Sequence, residues 1–408
     1  MLSTMKRLRK VQSNKPNFNI RTSIKVQDPI FPVVKHSKHC WSVHYRNMRF
    51  VVLSLVSVVV LVLITLCEGN FVINTWSGVF EDATAEAYRT LVQDGSALDA
   101  VEQGCKVCEA EQCDTSVGYG NHPDTNAHTS LDAMIMNGDN FDVGSVGYIR
   151  KFRDVISIAR YVMTYTSQTL LVGEGAEDFA SMVGFVPHSA TTNQSISIYN
   201  SWKEANCQPN FYENIPEATT QCGPYNVPPP NQRNAPALGL QRRRKNRPED
   251  LLQGGNERLW AANKENHDTI GMVTIDASGS MACGTSTNGA NHKVAGRVGD
   301  SPITGAGCYV NSNVGGCAAT GDGDVMMRFL PSFYAVTQME NSALSTPASP
   351  QVAAVRAIQR IVDVFPTFSG AVVCVNKDGL HGAAANNMSF AYSYASSTSN
   401  GVQVVTVA

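Results

Sequence analysis

A threonine at the start of a β-rich run can act as a nucleophile if the chain is cut directly before it. Thr269 follows His267-Asp268 and begins the run TIGMVTID. An internal threonine has no base attached to it, whereas an N-terminal threonine carries an α-amine close to Oγ, and that amine has a pKa of about 8. The Thr269 hydroxyl could make the cut itself, by attacking the Asp268 carbonyl and forming an ester that water hydrolyses. Taken alone, however, a threonine here is more simply a β-forming residue.

Four short motifs rich in Gly, Thr, Asp and Arg surround and follow this threonine. They are HDTIGMV at 267–273, GTSTNG at 284–289, GRVGDSP at 296–302 and ATGDGD at 319–324. The third motif places Arg297 three residues before Asp300, a spacing that by itself is typical of a surface ion pair. A guanidinium can also form a bidentate pair with a carboxylate, and an aspartate can accept from an ammonium. The two residues could therefore bind the free α-carboxylate and α-amine of an amino acid. The last motif lacks the twelve-residue pattern of a calcium loop, and we predict neither a metal nor a cofactor.

In this order and spacing the motifs resemble the glycosylasparaginase (aspartylglucosaminidase) family of N-terminal nucleophile hydrolases. The resemblance continues upstream through Asn74-Thr75-Trp76 and Leu131–Met136, and it covers roughly Asn70 to Phe390. It implies an α/β (α+β) fold with the four-layer αββα sandwich of that superfamily. It also implies autoproteolysis between Asp268 and Thr269 into an alpha and a beta fragment, which stay associated as a dimer of heterodimers.

The resemblance further implies an activity and a role for each matched residue. The activity is lysosomal hydrolysis of the bond between N-acetylglucosamine and asparagine. Thr269 matches the nucleophile, and Thr287 matches the threonine whose hydroxyl supports the nucleophile's amine. Arg297 and Asp300 match the residues that bind the α-carboxylate and α-amine of the substrate, and Gly299 and Gly323 lie beside them. Trp76 matches a residue at the substrate pocket. Thr320 and Gly321 match the oxyanion hole.

Three functions remain open at this point. Asparaginases and isoaspartyl peptidases share the nucleophile motif, but the Asn-Thr-Trp opening that contains Trp76 favours a glycosylated substrate. An aromatic residue in a first strand is otherwise usually a core residue. The third alternative is an uncleaved, catalytically silent protein held at a membrane, which no motif supports.

The eleven cysteines indicate an oxidising compartment. Cys105, Cys108 and Cys113 lie within nine residues, without a further ligand at zinc spacing. Short-range disulfides are therefore favoured, with Cys108–Cys113 and Cys207–Cys222 as the preferred pairs. A Cys308–Cys317 pair is a further possibility, whereas Cys374 has no evident partner.

The N-terminal region also indicates the secretory route. The whole chain has a net charge of -2, yet residues 1–49 contain eleven Lys or Arg, which leaves an acidic body that argues against nucleic acid as a partner. An apolar stretch at 50–67 follows this basic segment. It is either a type II membrane anchor or the core of a signal peptide, and a start at Met48 favours the signal peptide. Either interpretation sends the body to a lysosomal or extracellular destination.

Helices and strands alternate through the body in a way that would position these residues. Hydrophobic periodicity predicts helices at 83–91, 97–109, 154–165, 324–341 and 350–365 and strands at 170–172, 269–276, 280–287 and 370–376. Residues 223–266 are rich in Pro and Arg and are predicted to be a mobile linker. We therefore predict one catalytic domain over 70–408, built from an alpha segment 70–268 and a beta segment 269–408, after an extension at 1–69.

Overall fold

A computed structural model describes residues 69–227, 269–340 and 347–407. The predicted N-terminal extension, its apolar stretch 50–67, Asp268 and nearly all of the 223–266 linker lie outside these ranges. Within the ranges, no helix combines the length and apolar character needed to cross a bilayer.

Twelve strands form the framework of the described residues. Four come from the segment before the linker: β1 (Phe71–Asn74), β2 (Leu131–Asn137), β3 (Val143–Ile149) and β4 (Leu170–Val172). Eight come after it: β5 (Ile270–Ile275), β6 (Met281–Thr287), β7 (Cys308–Asn311), β8 (Gly315–Gly321), β9 (Gly370–Asn376), β10 (His381–Asn386), β11 (Phe390–Ser396) and β12 (Gln403–Val407).

Eight α-helices accompany the strands in the described ranges. They are α1 (Glu81–Val92), α2 (Ala97–Glu111), α3 (Val155–Tyr165), α4 (Gly173–Met182), α5 (Asn193–Glu204), α6 (Gly323–Met326), α7 (Pro331–Glu340) and α8 (Pro350–Val362). Local sequence sets several of their starts. The α2 helix begins with a capping box, in which Ser96 Oγ accepts from the Asp99 N–H and the Asp99 carboxylate accepts from the Ser96 N–H. Ser349 caps α8, with Pro350 in its first turn.

The strands form two sheets. The larger has the order β12-β11-β1-β5-β6-β2-β3-β4, and the smaller has the order β10-β9-β8-β7. All neighbouring strands are antiparallel except β3 and β4, which are parallel. In the larger sheet β1, from before the linker, lies between β11 and β5, from after it. Both segments therefore build one sheet.

The two sheets face each other between two layers of helices. β5 and β6 pack against β7 and β8 at the centre, with α1, α2 and α3 on the outer face of the larger sheet. The α7 and α8 helices cover the outer face of the smaller sheet. Buried aliphatic side chains fill the layers on both sides. This is the predicted αββα sandwich.

Small residues let the two sheets approach closely at the centre. A Cβ on Gly316 of β8 would lie 2.6 Å from Val273 Cγ1 of β5, and one on Gly271 would lie 3.0 Å from the Ala318 side chain. Because side chains alternate along a strand, Thr320 of β8 and Thr269 at the start of β5 point into this same interface. The close packing of the sheets thus positions the candidate nucleophile.

One predicted helix is wrong as a single element. The 324–341 segment was expected to be continuous, but it forms α6 and α7 with a break between them. Leu330 has φ +51° directly before Pro331, and a proline disfavours the helical conformation in the residue before it. The periodicity of the flanking turns does not reveal this break.

Four disulfides occur among the described cysteines. Cys108 is bonded to Cys113 and Cys207 to Cys222, as the spacing favours. The remaining two pairs are Cys283–Cys308 and Cys317–Cys374, and Cys105 is a buried free thiol. The suggested Cys308–Cys317 pair is therefore wrong, and Cys374 does have a partner. Cys317 and Cys374 are direct neighbours on β8 and β9, a pairing that no sequence spacing shows.

Candidate functional site

Thr269 lies buried at the start of β5, with 6 % of its surface exposed. Its backbone N–H donates to Thr320 Oγ1 at 3.1 Å. Its carbonyl accepts from Thr75 Oγ1 at 2.9 Å, and the same Thr75 hydroxyl accepts from the Gly271 N–H at 3.0 Å. The backbone of Thr269 is therefore held by two threonine hydroxyls, one from the residue directly after β1 and one from β8.

Thr287 ends β6 next to this position. The register pairs Ile270 with Ser286, so Thr269 and Thr287 stand at adjacent cross-strand positions. Thr287 is buried, and its Oγ1 donates to the Ser116 carbonyl at 3.2 Å and accepts from the Gly289 N–H at 2.9 Å. Its hydroxyl thus has a fixed orientation within the interface between the sheets.

Thr320 and Gly321 end β8, which belongs to the smaller sheet facing Thr269. Thr320 Oγ1 accepts from both the Thr269 N–H and the Trp76 indole N–H, the latter at 3.2 Å. Gly321 has φ +125°, and a Cβ there would lie 2.4 Å from Gly370 Cα. Only glycine fits this backbone, because a side chain would meet both an unfavourable φ and a neighbouring strand.

Arg297 and Asp300 lie in the interior rather than on the surface. The Arg297 side chain is 12 % exposed, and its Nη2 contacts Asp324 Oδ2 at 3.0 Å. Asp300 is buried, and within the described part of the chain its Oδ2 has no hydrogen-bond partner. Burial raises the pKa of Asp300 to about 7, although the Arg297 charge opposes this shift. A buried carboxylate oxygen without a partner is costly unless a ligand satisfies it.

Two glycines allow these opposite charges to converge. A Cβ on Gly323 would lie 2.3 Å from Asp300 Oδ1 and 3.2 Å from Arg297 Nη2. A Cβ on Gly299 would lie 2.8 Å from Arg297 Nη1. The site therefore offers a guanidinium and a carboxylate side by side, a combination that suits a group carrying both a carboxylate and an ammonium.

The segment 320–323 links the two halves of the site. Thr320 contacts the Thr269 backbone, and Gly323 lies against Asp300 and Arg297. Three residues span at most about 10 Å of extended chain, so a single small molecule can reach from Thr269 to the charged pair.

Trp76 serves the core and the site together. It is 8 % exposed and packs edge-on against Phe390, with a ring-centroid distance of 5.4 Å. Its indole N–H nevertheless reaches Thr320 Oγ1, so this core residue also touches the residue beside Thr269.

Three polar residues close to the site were not singled out from the sequence. Thr75 anchors the Thr269 carbonyl. Asp132 accepts from the Gly299 N–H at 3.1 Å, and buried Lys293 donates from Nζ to the Asn288 carbonyl. Burial lowers the pKa of Lys293 to about 8. A usable signal was present for Asp132, because it is the one charged residue in the otherwise apolar run LDAMIM.

No cluster of three or more metal-binding side chains occurs among the residues the structure describes. In the ATGDGD motif, Asp322 caps α6 by accepting from the Val325 N–H, and Asp324 pairs with Arg297. These two carboxylates thus have roles within the protein.

Known proteins resemble this chain over most of its length. Residues 72–405 match the model of an asparaginase family. The chain is 45 % identical over 318 residues to an N(4)-(beta-N-acetylglucosaminyl)-L-asparaginase of Rattus norvegicus, covering 78 % of this chain and 84 % of the relative. The Mus musculus protein of that name is 44 % identical over 319 residues, with the same coverage. A probable isoaspartyl peptidase/L-asparaginase 3 of Arabidopsis thaliana is 42 % identical over 338 residues, 82 % of this chain and 90 % of the relative.

Proposed function

The chain belongs to the asparaginase family, and we infer from this that it is a hydrolase that cleaves the amide linking N-acetylglucosamine to asparagine. The observation that carries the inference is the 320–323 segment, which brings the Thr269 backbone within reach of the Arg297 and Asp300 charges. A substrate asparagine has its scissile side-chain amide a few bonds from its α-carboxylate and α-amine. The two halves of the site match these two ends.

We propose that the chain first activates itself. Thr269 Oγ attacks the Asp268 carbonyl carbon, the C–N bond breaks, and the proton passes from Oγ to the departing nitrogen. Water then hydrolyses the resulting ester, leaving an Asp268 carboxylate and a free Thr269 α-amine. The Thr75 bond to the Thr269 carbonyl and the Thr320 bond to its nitrogen support this step by fixing the residue.

The same hydroxyl then attacks the substrate. The α-amine accepts the Oγ proton, a β-aspartyl ester forms on Thr269, and the glycosylamine leaves with a proton. Thr320 and Gly321 stabilise the negative charge on the tetrahedral oxygen, and Thr287 orients the amine. Arg297 binds the substrate α-carboxylate and Asp300 binds its α-amine, with Gly299 and Gly323 leaving room. Water hydrolyses the ester and restores the enzyme.

Hydrolysis of β-aspartyl peptides or free asparagine is the second candidate. It is favoured by the similarity to the Arabidopsis thaliana protein. The position of Trp76 beside Thr320 supports the glycosylated substrate instead, because the indole can shape the space next to the nucleophile. Parallel turnover of a glycosylasparagine and a β-aspartyl dipeptide distinguishes the two.

We also propose that the enzyme matures in the secretory pathway and acts in the lysosome or outside the cell. Four disulfides in the described residues support an oxidising route. The proposed partners are the glycosylated substrate and the complementary fragment, with two fragment pairs forming a dimer.

A denaturing gel followed by N-terminal sequencing tests the nucleophile. Wild-type protein should yield a fragment that begins Thr269-Ile270-Gly271 and should turn over glycosylasparagine. Thr269→Ala should stay uncut and inactive, whereas Thr269→Ser should keep part of both activities. Thr164→Ala, an exposed change on α3, is the matched control and should behave as wild type. A folded, active wild-type chain that remains intact contradicts the proposal.

A further inference from the structure

We propose that Asp132 is a positioning residue that fixes the Arg297–Asp300 loop for binding of the substrate's α-carboxylate and α-amine. The proposal rests on the function inferred above. Asp132 lies on β2 and is 2 % exposed, so its carboxylate needs partners inside the protein. The contacts of its two oxygens identify which parts of the fold it holds together.

One oxygen of Asp132 accepts a hydrogen bond at a β-bulge, where the register between β2 and β3 shifts. The register runs from Leu131 opposite Ile149 to Ala133 opposite Val146, so Asp132 faces two residues of β3. One of them, Tyr148, has φ +57°. Its N–H donates to Asp132 Oδ1 at 2.8 Å, which replaces the strand–strand bond lost at a bulge.

The other oxygen holds the substrate-binding loop. Asp132 Oδ2 accepts from the Gly299 N–H at 3.1 Å, and Gly299 directly precedes Asp300 and follows Arg297 by two residues. The intervening Val298 packs on β3, where a Cβ on Gly147 would lie 3.1 Å from both of its methyl carbons. The loop therefore rests on the bulge, and the Asp132 carboxylate is the polar link between them.

Charge and strand register reinforce this position. Burial raises the pKa of Asp132. The positive charges of Arg297 and Lys293 oppose this shift, because they favour the ionised carboxylate. Asp132 is also the direct cross-strand neighbour of Thr287. The same residue thus ties the loop that binds the amino acid group to the strand that ends beside Thr269.

Asp132→Asn tests this role with almost no change of shape. The amide has one acceptor oxygen in place of two, and its NH2 group opposes an N–H donor, so either Tyr148 or Gly299 loses its partner. We expect KM for glycosylasparagine to rise about ten-fold while kcat changes less than about three-fold, since uniform binding is lost. The inhibition constant of L-aspartate, which carries both α-groups, should rise by a similar factor.

Glu177→Gln is the matched control. Glu177 is also buried, and its Oε1 accepts from the Arg150 N–H at 2.8 Å and the Lys151 N–H at 3.2 Å, two residues that follow β3 and do not belong to the Arg297–Asp300 loop. A general loss of stability should lower Tm in both variants, but only Asp132→Asn should shift KM. Equal KM values in wild type and Asp132→Asn, or the same kinetic change in both variants, overturn the proposal.

Two further measurements keep the outcomes separate. If Asp132→Asn does not fold, Val298→Ala loosens the same loop on Gly147 and should raise KM by a smaller factor, and an unchanged KM there overturns the proposal. Wild-type cleavage at Thr269 and turnover of glycosylasparagine are measured first. Their absence defeats the proposed function, whereas their presence with an unmoved KM in the variants defeats only the role of Asp132.

Discussion

The carboxyl group of Glu109 lies between a helix and β6, the strand that ends at the candidate site residue Thr287. It is 2 % exposed on α2, and its Oε1 accepts from Ser286 Oγ at 2.6 Å and from the Ile156 N–H at 3.0 Å. Its Oε2 has no hydrogen-bond partner in the described residues. Burial raises the pKa of Glu109 from 4.5 to about 8, with Asp154 adding to the increase and Lys106 opposing it.

This shift predicts that Glu109 makes the protein more stable at acid pH. The folded state holds the proton up to about pH 8, whereas the unfolded chain releases it near pH 4.5. Between these values the folded state binds more protons, so the stabilisation is complete below the lower pKa and is lost as pH rises through the upper one. This direction suits an enzyme proposed to work in an acidic compartment.

Glu109→Gln measures the effect, because the amide keeps the acceptor oxygen and never ionises. We expect Tm to fall between about pH 5 and pH 8 in both proteins. The fall should be smaller in the variant than in wild type, with a difference of at least about 2 °C between the two falls. Glu111→Gln, an exposed change on the same helix, is the control and should follow the wild-type curve. Parallel Tm curves for wild type and Glu109→Gln would disprove the assignment.

Candidate site residues that belong to contiguous motifs could be proposed from the sequence, whereas the contacts made across the fold could not. Thr269, Arg297 and Asp300 were located by motif order. Thr75 contacts Thr269 across 194 residues of chain, and Asp132 contacts Gly299 across 167. Such contacts exist only after the strands have paired, so local patterns do not show them, although the charge of Asp132 in an apolar run marks the residue itself.

Among the structural elements, the Cys283–Cys308 disulfide joins the two sheets. Cys283 lies on β6 of the larger sheet and Cys308 on β7 of the smaller one, at a sequence separation of 25. Cys317–Cys374 instead joins neighbouring strands of a single sheet. The first bond therefore fastens the interface in which Thr269 lies.

Removing the disulfide between the sheets should destabilise the fold without abolishing the chemistry. Cys283→Ala with Cys308→Ala should lower the free energy of unfolding by about 2–4 kcal/mol. Denaturant titration in the uncut Thr269→Ala background measures this on a single chain. The same pair in the wild-type background should still be cut and active, because neither cysteine takes part in the hydrogen bonds that hold Thr269 and Thr320. An unchanged free energy of unfolding would mean that the bond contributes no net stability.

Prediction of the elements succeeded for strands that are buried along almost their whole length and for a helix with a regular apolar period. The strands at 269–276, 280–287 and 370–376 and the helix at 97–109 correspond to β5, β6, β9 and α2. The split between α6 and α7 was missed because it depends on one residue with positive φ before a proline. The order of the twelve strands was also beyond the sequence, since strand order is set by long-range pairing.

At the scale of the whole molecule, the two sides of the proposed cut are interleaved. β1 is hydrogen-bonded on one edge to β11 and on the other to β5, and β2 is hydrogen-bonded to β6. Separating the fragments would expose these strand edges together with the core that covers them. We therefore expect the fragments to remain together in native buffer, held by backbone pairing and apolar burial.

The disulfides allow this expectation to be tested without a mutation. Every disulfide in the described residues lies on one side of the cut, with Cys108–Cys113 and Cys207–Cys222 before Thr269 and the other two after it. The cut protein should elute as one species in native size-exclusion chromatography and run as two bands on a denaturing gel without reductant. Uncut Thr269→Ala should give one band on the same gel. If the wild-type bands separate only after reduction, a covalent link rather than the shared sheet joins the fragments. If the fragments separate in native buffer, the interleaved strands are not sufficient to hold the molecule together.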